Sequence, residues 1–377
     1  MSDQENLSGS TVSEQPASDC SRETKRKRVL AFLQDHMLDG MLLTLQRNFA
    51  WYTDGGRSYV NIGTEESIAD LLITPSGDHL FSNSTESIRL ATEEIPWKID
   101  HAHLSPWWEE GARTRNNGSQ FGNRIGSDAG PLRREFSRLR YSLLPNEVDR
   151  YRKLGKDTAE VFWDLARFLR TGMTERDLAA ELSAGLFRKG MFPLVMLVAF
   201  DERAFSYRHP LPTDNKLKNL ALVSVCARRY GLIASVSRAF SLGRVSNDLL
   251  KRHRAVATLD GWLIGETTPG RRIPDLFEGL KEQYAEVGFA NEWQLHHQGG
   301  ATGYATRDYR ATSTSDEVVQ DNQAFAWNPS ITGAKSEDTI LAAPGGIEIL
   351  SADPRWPNIE VEVKGAKVLR PDIFVLD

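Results

Sequence analysis

The sequence predicts an α+β protein. Its second half runs through segments of helical periodicity and then through a series of short apolar, β-branched runs, and the turn residues between those runs suit antiparallel hairpins. Size is a further indication, because 377 residues, 40% of them hydrophobic, can build two packed cores and hence two domains. Helices would then cover one face of a curved, largely antiparallel sheet.

Residues 1–22 are too polar to bury and are expected to form a disordered tail. Lys25-Arg26-Lys27-Arg28 follows and reads as the solvated start of a helix. RVLAFLQDHMLDGMLLTL and NFAWYTDGG mix helical and strand-like runs, and IADLLITPSGDHLFSN reads as a hairpin about Ser76-Gly77-Asp78. Together these predict a compact α/β unit over residues 23–143. At Pro145 the character changes: SLLPNEVDRYRKLGKDTAEVFWDLARFLRTG keeps helical periodicity as far as Gly172, which opens a second domain spanning 144–377. Thr174 and Asp177 form a helix N-terminal cap ahead of LAAELSAGLFRKG, and Gly190 is placed to end that helix. LVMLVAFD is a strand, and ALVSVCARRYGLIASVSRAFSLG predicts two paired strands about Gly231. Two helices, NDLLKRHRAVATLDGWLIGE and PDLFEGLKEQYAEVG, precede the closing strands NQAFAWNPSI, EDTILAA, GIEILS, NIEVEV and KVLRPDIFVL. Trp327 belongs by this pattern to the sheet core.

Composition narrows the function. A net charge of -5 and a pI near 6.0 lack the broad basic face that nucleic-acid binding needs. Only Cys20 and Cys226 are present, which excludes a disulfide framework and suits a reducing, cytoplasmic setting. No run approaches the roughly 18–20 apolar residues of a membrane span, and Met1 to Ser21 lacks the apolar core of a secretory signal. The expected partner is therefore a small-molecule substrate, with no nucleic acid and no membrane.

Five motifs carry the chemistry: HPLP at 209–212, SVSR at 235–238, HHQGGATG at 296–303, AWNPS at 326–330 and AKSEDTIL at 334–341. In this order and spacing they resemble the creatinase, prolidase and aminopeptidase P family, over nearly the whole chain after the tail. The resemblance implies a pita-bread C-terminal domain of catalytic type and a smaller α/β creatinase-like N-terminal domain. Metallopeptidases of that family hold two divalent ions with two Asp, one His and two Glu, because bridging carboxylates keep two cations close and activate a shared water. Laid onto this chain, the Asp positions fall on Ser224 and Ser235, the His on Gly300 and the first Glu on Asn328; Glu337 alone keeps its type. Ala221 to Ala239 contains no Asp or Glu. Two alcohols, an amide, a glycine and one carboxylate cannot hold a pair of hard dications, so no metal and no cofactor are expected.

The resemblance also implies roles for residues that remain. His209 falls where creatinase, the metal-free member, moves a proton, His296 at a position where members often carry His, and Glu337 on the carboxylate that in creatinase binds the guanidinium-like part of the substrate. Arg307 takes another family His position. Arg310 lies one residue out of register with the creatinase arginine that grips the substrate carboxylate. Gly55-Gly56-Arg57 resembles an element that reaches into the neighbouring subunit's site, in the homodimer that the resemblance implies. Imidazole moves protons at neutral pH, and the guanidinium fork matches a carboxylate. His209, His296 and Glu337 are thus expected to be catalytic, with Arg57, His297, Arg307, Arg310, Asn328, Ser224 and Ser235 binding substrate. The function expected is a metal-independent, creatinase-like hydrolase or lyase acting on a C–N bond of a small amino-acid-like or guanidino-like compound. Ser237 beside Arg238, where creatinase carries an acidic residue, argues against creatine itself. Two alternatives stand beside this: a non-catalytic pseudopeptidase that binds peptides or protein partners, and a divergent Xaa-Pro aminopeptidase with one metal. Glu337 also has a purely structural alternative, a salt bridge with Lys335 or an arginine.

Overall fold

The computed structural model describes residues 19–109, 111–112 and 121–376. The N-terminal unit consists of α1 (Asp19–Asp35), β1 (Gly40–Leu45), α2 (Gln46–Tyr52), the hairpin β2 (Glu66–Thr74) and β3 (Gly77–Asn83), β4 (His101–Ser105) and β5 (Ile125–Ser127), with its five strands in the order β4-β3-β2-β1-β5. The hairpin turns where Ser76-Gly77-Asp78 predicts it.

Helix α1 corrects two expectations. It begins at Asp19, so Asp19 to Arg22, placed in the tail by their polarity, are helical; residues 1–18 lie outside the described residues. Partners far along the chain explain this, since the Ser21 hydroxyl donates to Asp54 at 3.0 Å and Arg22 reaches Asp100 at 3.2 Å. Nor is the basic cluster a solvated helix start. Lys25 is fully buried and ion-paired with Asp54 and with Glu147 at 2.9 Å, while Arg28 donates to the carbonyls of Leu139 and Ser142 at 2.8 and 2.9 Å. Ser21, Lys25 and Arg28 recur at helical spacing, so one face of α1 carries its polar groups into the protein.

The remainder opens with α3 (Pro145–Leu165), whose first turn has Pro at its start and the Glu147 carboxylate accepting from Leu144 N at 2.9 Å. It ends short of Gly172, passing into a 3₁₀ turn at Ala166–Phe168. In α4 (Glu175–Arg188) the predicted cap forms: Thr174 Oγ1 accepts from Asp177 N at 3.1 Å, and Asp177 accepts from Thr174 N at 2.8 Å. Strands β6 (Phe192–Phe200), β7 (Leu220–Arg229) and β8 (Leu232–Leu242) follow, then helices α5 (Asn247–Glu266) and α6 (Ile273–Glu286). The chain closes with β9 (Gly299–Thr302), β10 (Tyr309–Arg310), β11 (Gln323–Trp327), β12 (Ser330–Ile331), β13 (Ala334–Lys335), β14 (Asp338–Ala343), β15 (Gly346–Ile349), β16 (Asn358–Val363), β17 (Ala366–Pro371) and β18 (Phe374–Leu376).

Two larger sheets result, in the orders β18-β8-β7-β6 and β10-β9-β11-β14-β15, beside the two-stranded pairs β12-β13 and β16-β17, and the larger two are joined where Ser237 N donates to the Glu337 carbonyl at 3.1 Å. One core runs from Trp51 and Leu71 through Tyr151 into Val223 and Val236, crossing from the N-terminal unit to the first sheet. The second lies under α5 and α6 and contains Trp262, Phe325 and Trp327. Trp327 is a core residue, as expected, with its indole N–H donating to Thr267 Oγ1 at 2.8 Å. Among the described residues no helix is long and apolar enough to cross a membrane.

Candidate active site

The seam between the two sheets carries a cavity of about 610 Å³. Strand register explains much of its lining. Ser224 on β7 lies opposite Ser237 on β8, so both hydroxyls project from one face, 2.6 Å apart. Ser237 donates its proton to Glu337 Oε2 at 2.6 Å, which leaves Ser224 as the donor to Ser237. Glu337 immediately precedes β14, and its neighbour Asp338 holds the strand in place through Arg238 at 2.7 Å and Arg370 at 2.6 Å, all three fully buried. Each Glu337 oxygen meets a cation: Arg307 at 3.0 Å on Oε1 and Lys335 at 2.9 Å on Oε2. Burial alone raises the Glu337 carboxyl, but Lys335 and Arg307 outweigh it and hold the group at about 2. It is a permanent carboxylate.

Facing this group are three imidazoles. His296 Nε2 lies 2.9 Å from His209 Nε2, and the His296 and His297 rings stack at 4.3 Å. Burial, followed by the charge of Lys335, pushes His296 down to about 2. For His297 burial is again the largest cause, then Arg307 and Arg310, and the result is about 3. His209 is more exposed; burial and Lys335 lower it below the ordinary imidazole value. All three are neutral at pH 7. His297 Nδ1 accepts from Gly299 N at 3.3 Å, so its proton resides on Nε2.

The structure brings together most of the residues expected to form a site. His209, Ser224, His297, Arg307, Arg310, Asn328 and Glu337 line the one cavity, and His296 stands behind His209. One residue expected there, Ser235, does not join them. Ser235 pairs with Cys226 across the hairpin and is fully buried, donating to Cys226 Sγ at 3.2 Å, so the cysteine lines the cavity in its place. Arg57, whose expected place is the neighbouring subunit's site, is held within its own chain by Glu94 at 2.8 Å and lines two other cavities. Lys335 was visible in the sequence only as a partner for Glu337; two positions apart on extended chain, the two side chains share a side, and that is the signal for its place in the cavity.

With this geometry in view, the comparisons with known proteins agree. The sequence model of metallopeptidase family M24 matches residues 149–349, more than half of the chain, and the chain belongs to that family. The fold is the family's pita-bread fold with a smaller N-terminal domain. A probable dipeptidase PepE of Mycobacterium bovis is 23% identical over 218 residues, 55% of this chain and 58% of that protein, so the match spans well under two thirds of this relative. An uncharacterized peptidase of Staphylococcus haemolyticus is 21% identical over 358 residues, 87% of this chain and 99% of that one. Among solved structures, the prolidase from Pyrococcus horikoshii superposes with a TM-score of 0.72 at 15% identity, covering 91% of this chain and 99% of its own. The N-terminal domain of the FACT complex subunit SPT16 from chickpea reaches 0.66 at 12% identity, covering 88% and 96%. At such identities the shared property is the fold.

The family's dinuclear centre does not fit these residues. Gly300, where the resemblance places the family's histidine, has φ +153°, and a Cβ built on it would lie 2.2 Å from the Tyr309 carbonyl oxygen of the paired strand β10. A side chain there would force the paired strands β9 and β10 to shift. Glu337 has both oxygens committed, Ser235 is covered by Cys226, and Asn328 offers an amide whose Oδ1 is buried without a partner. Substituting Gly300→His is therefore expected to lower stability by at least about 1–3 kcal/mol, the usual range for overpacking, without conferring metal binding. Urea denaturation and metal content of the purified variant check this.

Proposed function

We propose that this protein hydrolyses a C–N bond in a small, carboxylate-bearing, amino-acid-like molecule, with its own side chains supplying the electrostatics that a metal pair supplies elsewhere in the family. The observation that carries the proposal is the pairing of Glu337 with Lys335 and Arg307 opposite neutral histidines. Fixed organic cations stand beside the one ligand-type residue that remains.

The chemistry follows from the donor set. Arg310, exposed at the cavity wall, takes the substrate carboxylate, and Asn328 Oδ1 accepts from a substrate N–H. His209 removes a proton from water as the water oxygen bonds to the substrate's electrophilic carbon. The negative charge that develops on the substrate oxygen faces the Lys335 ammonium and the His297 Nε2–H. His209 then returns the proton to the nitrogen as the C–N bond breaks, releasing an acid and an amine. On a guanidino-type carbon the water oxygen adds to the guanidinium with its proton passing to His209, and the adduct is neutral. Return of that proton to the leaving nitrogen breaks the C–N bond to give an amine and, after loss of one proton to solvent, a urea.

A single-ion aminopeptidase is the second reading, favoured by one observation: the ligand atoms of His209, His296 and His297 lie within 4.8 Å of one another. Against it stand the nearby cations Lys335, Arg307 and Arg310, which repel a dication, and the engagement of His297 Nδ1 by Gly299. The deciding experiment uses protein purified without chelator, assayed on amino-acid amides, guanidino acids and Xaa-Pro dipeptides with chelator or with added Mn, Zn or Co. Turnover that chelator leaves unchanged is expected. Stoichiometric metal, chelator-sensitive turnover and loss of the metal in His297→Ala would establish the single-ion enzyme instead.

A further inference from the structure

A basic cavity of about 400 Å³ lies away from the site, between the Arg57 segment and the β7–β8 turn. Arg57, Lys153, Arg188, Lys189, Arg228 and Arg229 line it against a single carboxylate, Asp157. That carboxylate is already taken by Arg229 at 2.6 Å and Lys189 at 3.7 Å, and Arg57 belongs to Glu94.

Arg228 has no such counter-charge among the described residues. Its guanidinium lies over the Tyr59 ring at 4.6 Å, Nη1 donates to Gln46 Oε1 at 3.2 Å, and Nη2 is buried without a partner. A partly desolvated cation left with a neutral amide and an aromatic face is costly, and an arriving oxyanion would satisfy both the charge and the free donor. A second cavity, of about 350 Å³, shares Arg57, Tyr59 and Arg228 with the first and shares Arg307 with the catalytic cavity. Cationic surface thus continues from the outer cavity toward the reaction site.

We infer that Arg228 anchors a second ligand site, separate from the catalytic cavity, for a small oxyanion carrying two or more negative charges. The inference does not depend on the proposed reaction. It is tested by thermal unfolding of the full chain against inorganic phosphate, pyrophosphate and citrate, with sodium chloride at matched ionic strength as the control. A saturable rise in Tm with at least one of these anions, absent with chloride, is expected. Response to phosphate and pyrophosphate alone assigns a phosphorylated ligand; response to citrate alone assigns a polycarboxylate. Arg228→Gln should weaken the binding about tenfold or more, Arg188→Ala, at the exposed rim, should weaken it less, and His209→Gln should leave it intact. Since Arg228→Gln removes an uncompensated charge, its Tm without anion should match or exceed that of the parent protein. A shift equal to that of chloride, or one that persists unchanged in Arg228→Gln, overturns the assignment.

Discussion

Glu337→Ala is expected to destabilise the protein by about 3–5 kcal/mol, the range for breaking a buried ion pair from one side. The carboxylate is 3% exposed, and the side chains of its partners Lys335 and Arg307 are 8% and 11% exposed. Truncation leaves two cations facing each other with little water to screen them, and it strands the Ser237 hydroxyl, whose proton now ends on Glu337 Oε2 at 2.6 Å. Glu337→Gln keeps an acceptor for Ser237 but not the charge, so its cost should be smaller. Adding Lys335→Met to Glu337→Gln should recover part of that loss, because the second change removes a charge that the first left unpaired. Equilibrium urea unfolding measures all three. The exposed pair Arg152–Glu348, at 2.8 Å, is the control, and its loss should cost under about 1 kcal/mol. A Glu337→Ala cost as small as the control's would mean that the cluster is solvated, and the view of Lys335 and Arg307 as fixed cations would have to be given up.

What the sequence could and could not reveal follows from the range of the forces involved. Helices α4 and α5 and the two hairpins are written in contiguous residues: Thr174 with Asp177 caps one helix, and Gly231 sets the turn between β7 and β8. The residue types at the positions where the resemblance places the family's ligands, Ser224, Asn328 and Gly300, were equally legible. Position within the cavity was not. Spacing treats Ser224 and Ser235 alike, yet the hairpin register hands one to Ser237 and hides the other behind Cys226. Lys25 looks like a surface residue in a basic run because its partners, Asp54 and Glu147, are brought to it by tertiary packing. Arg228 is the converse case: nothing in VCARRYG distinguishes it from Arg229, whereas the fold gives Arg229 a carboxylate and Arg228 a tyrosine ring.

Substituting His209→Ala is expected to lower kcat/KM by about 10²–10⁴-fold, the usual contribution of a general base. The pH behaviour separates this role from a structural one. His209 acts as a base only when neutral, and burial with Lys335 sets its folded pKa below 6.5, so the wild-type rate should fall on acidification through a limb whose midpoint lies below 6.5. Stability should respond to a different pair. His296 and His297, at about 2 and about 3, stay neutral in the folded protein, while the unfolded chain takes up protons as pH falls through the ordinary imidazole value. The unfolded state then binds more protons, so stability decreases on acidification from about pH 6.5 downward, by at most about 1.4 kcal/mol per pH unit for each histidine and less where solvent screens the ring. Glu337, held at about 2, adds to the loss only below its unfolded value of 4.5. His209→Ala should therefore abolish the acid limb of the rate yet leave the onset of acid destabilisation in place. If unfolding free energy were level between pH 6.5 and 5, His296 and His297 would not be the neutral groups that the proposed proton transfer requires beside His209.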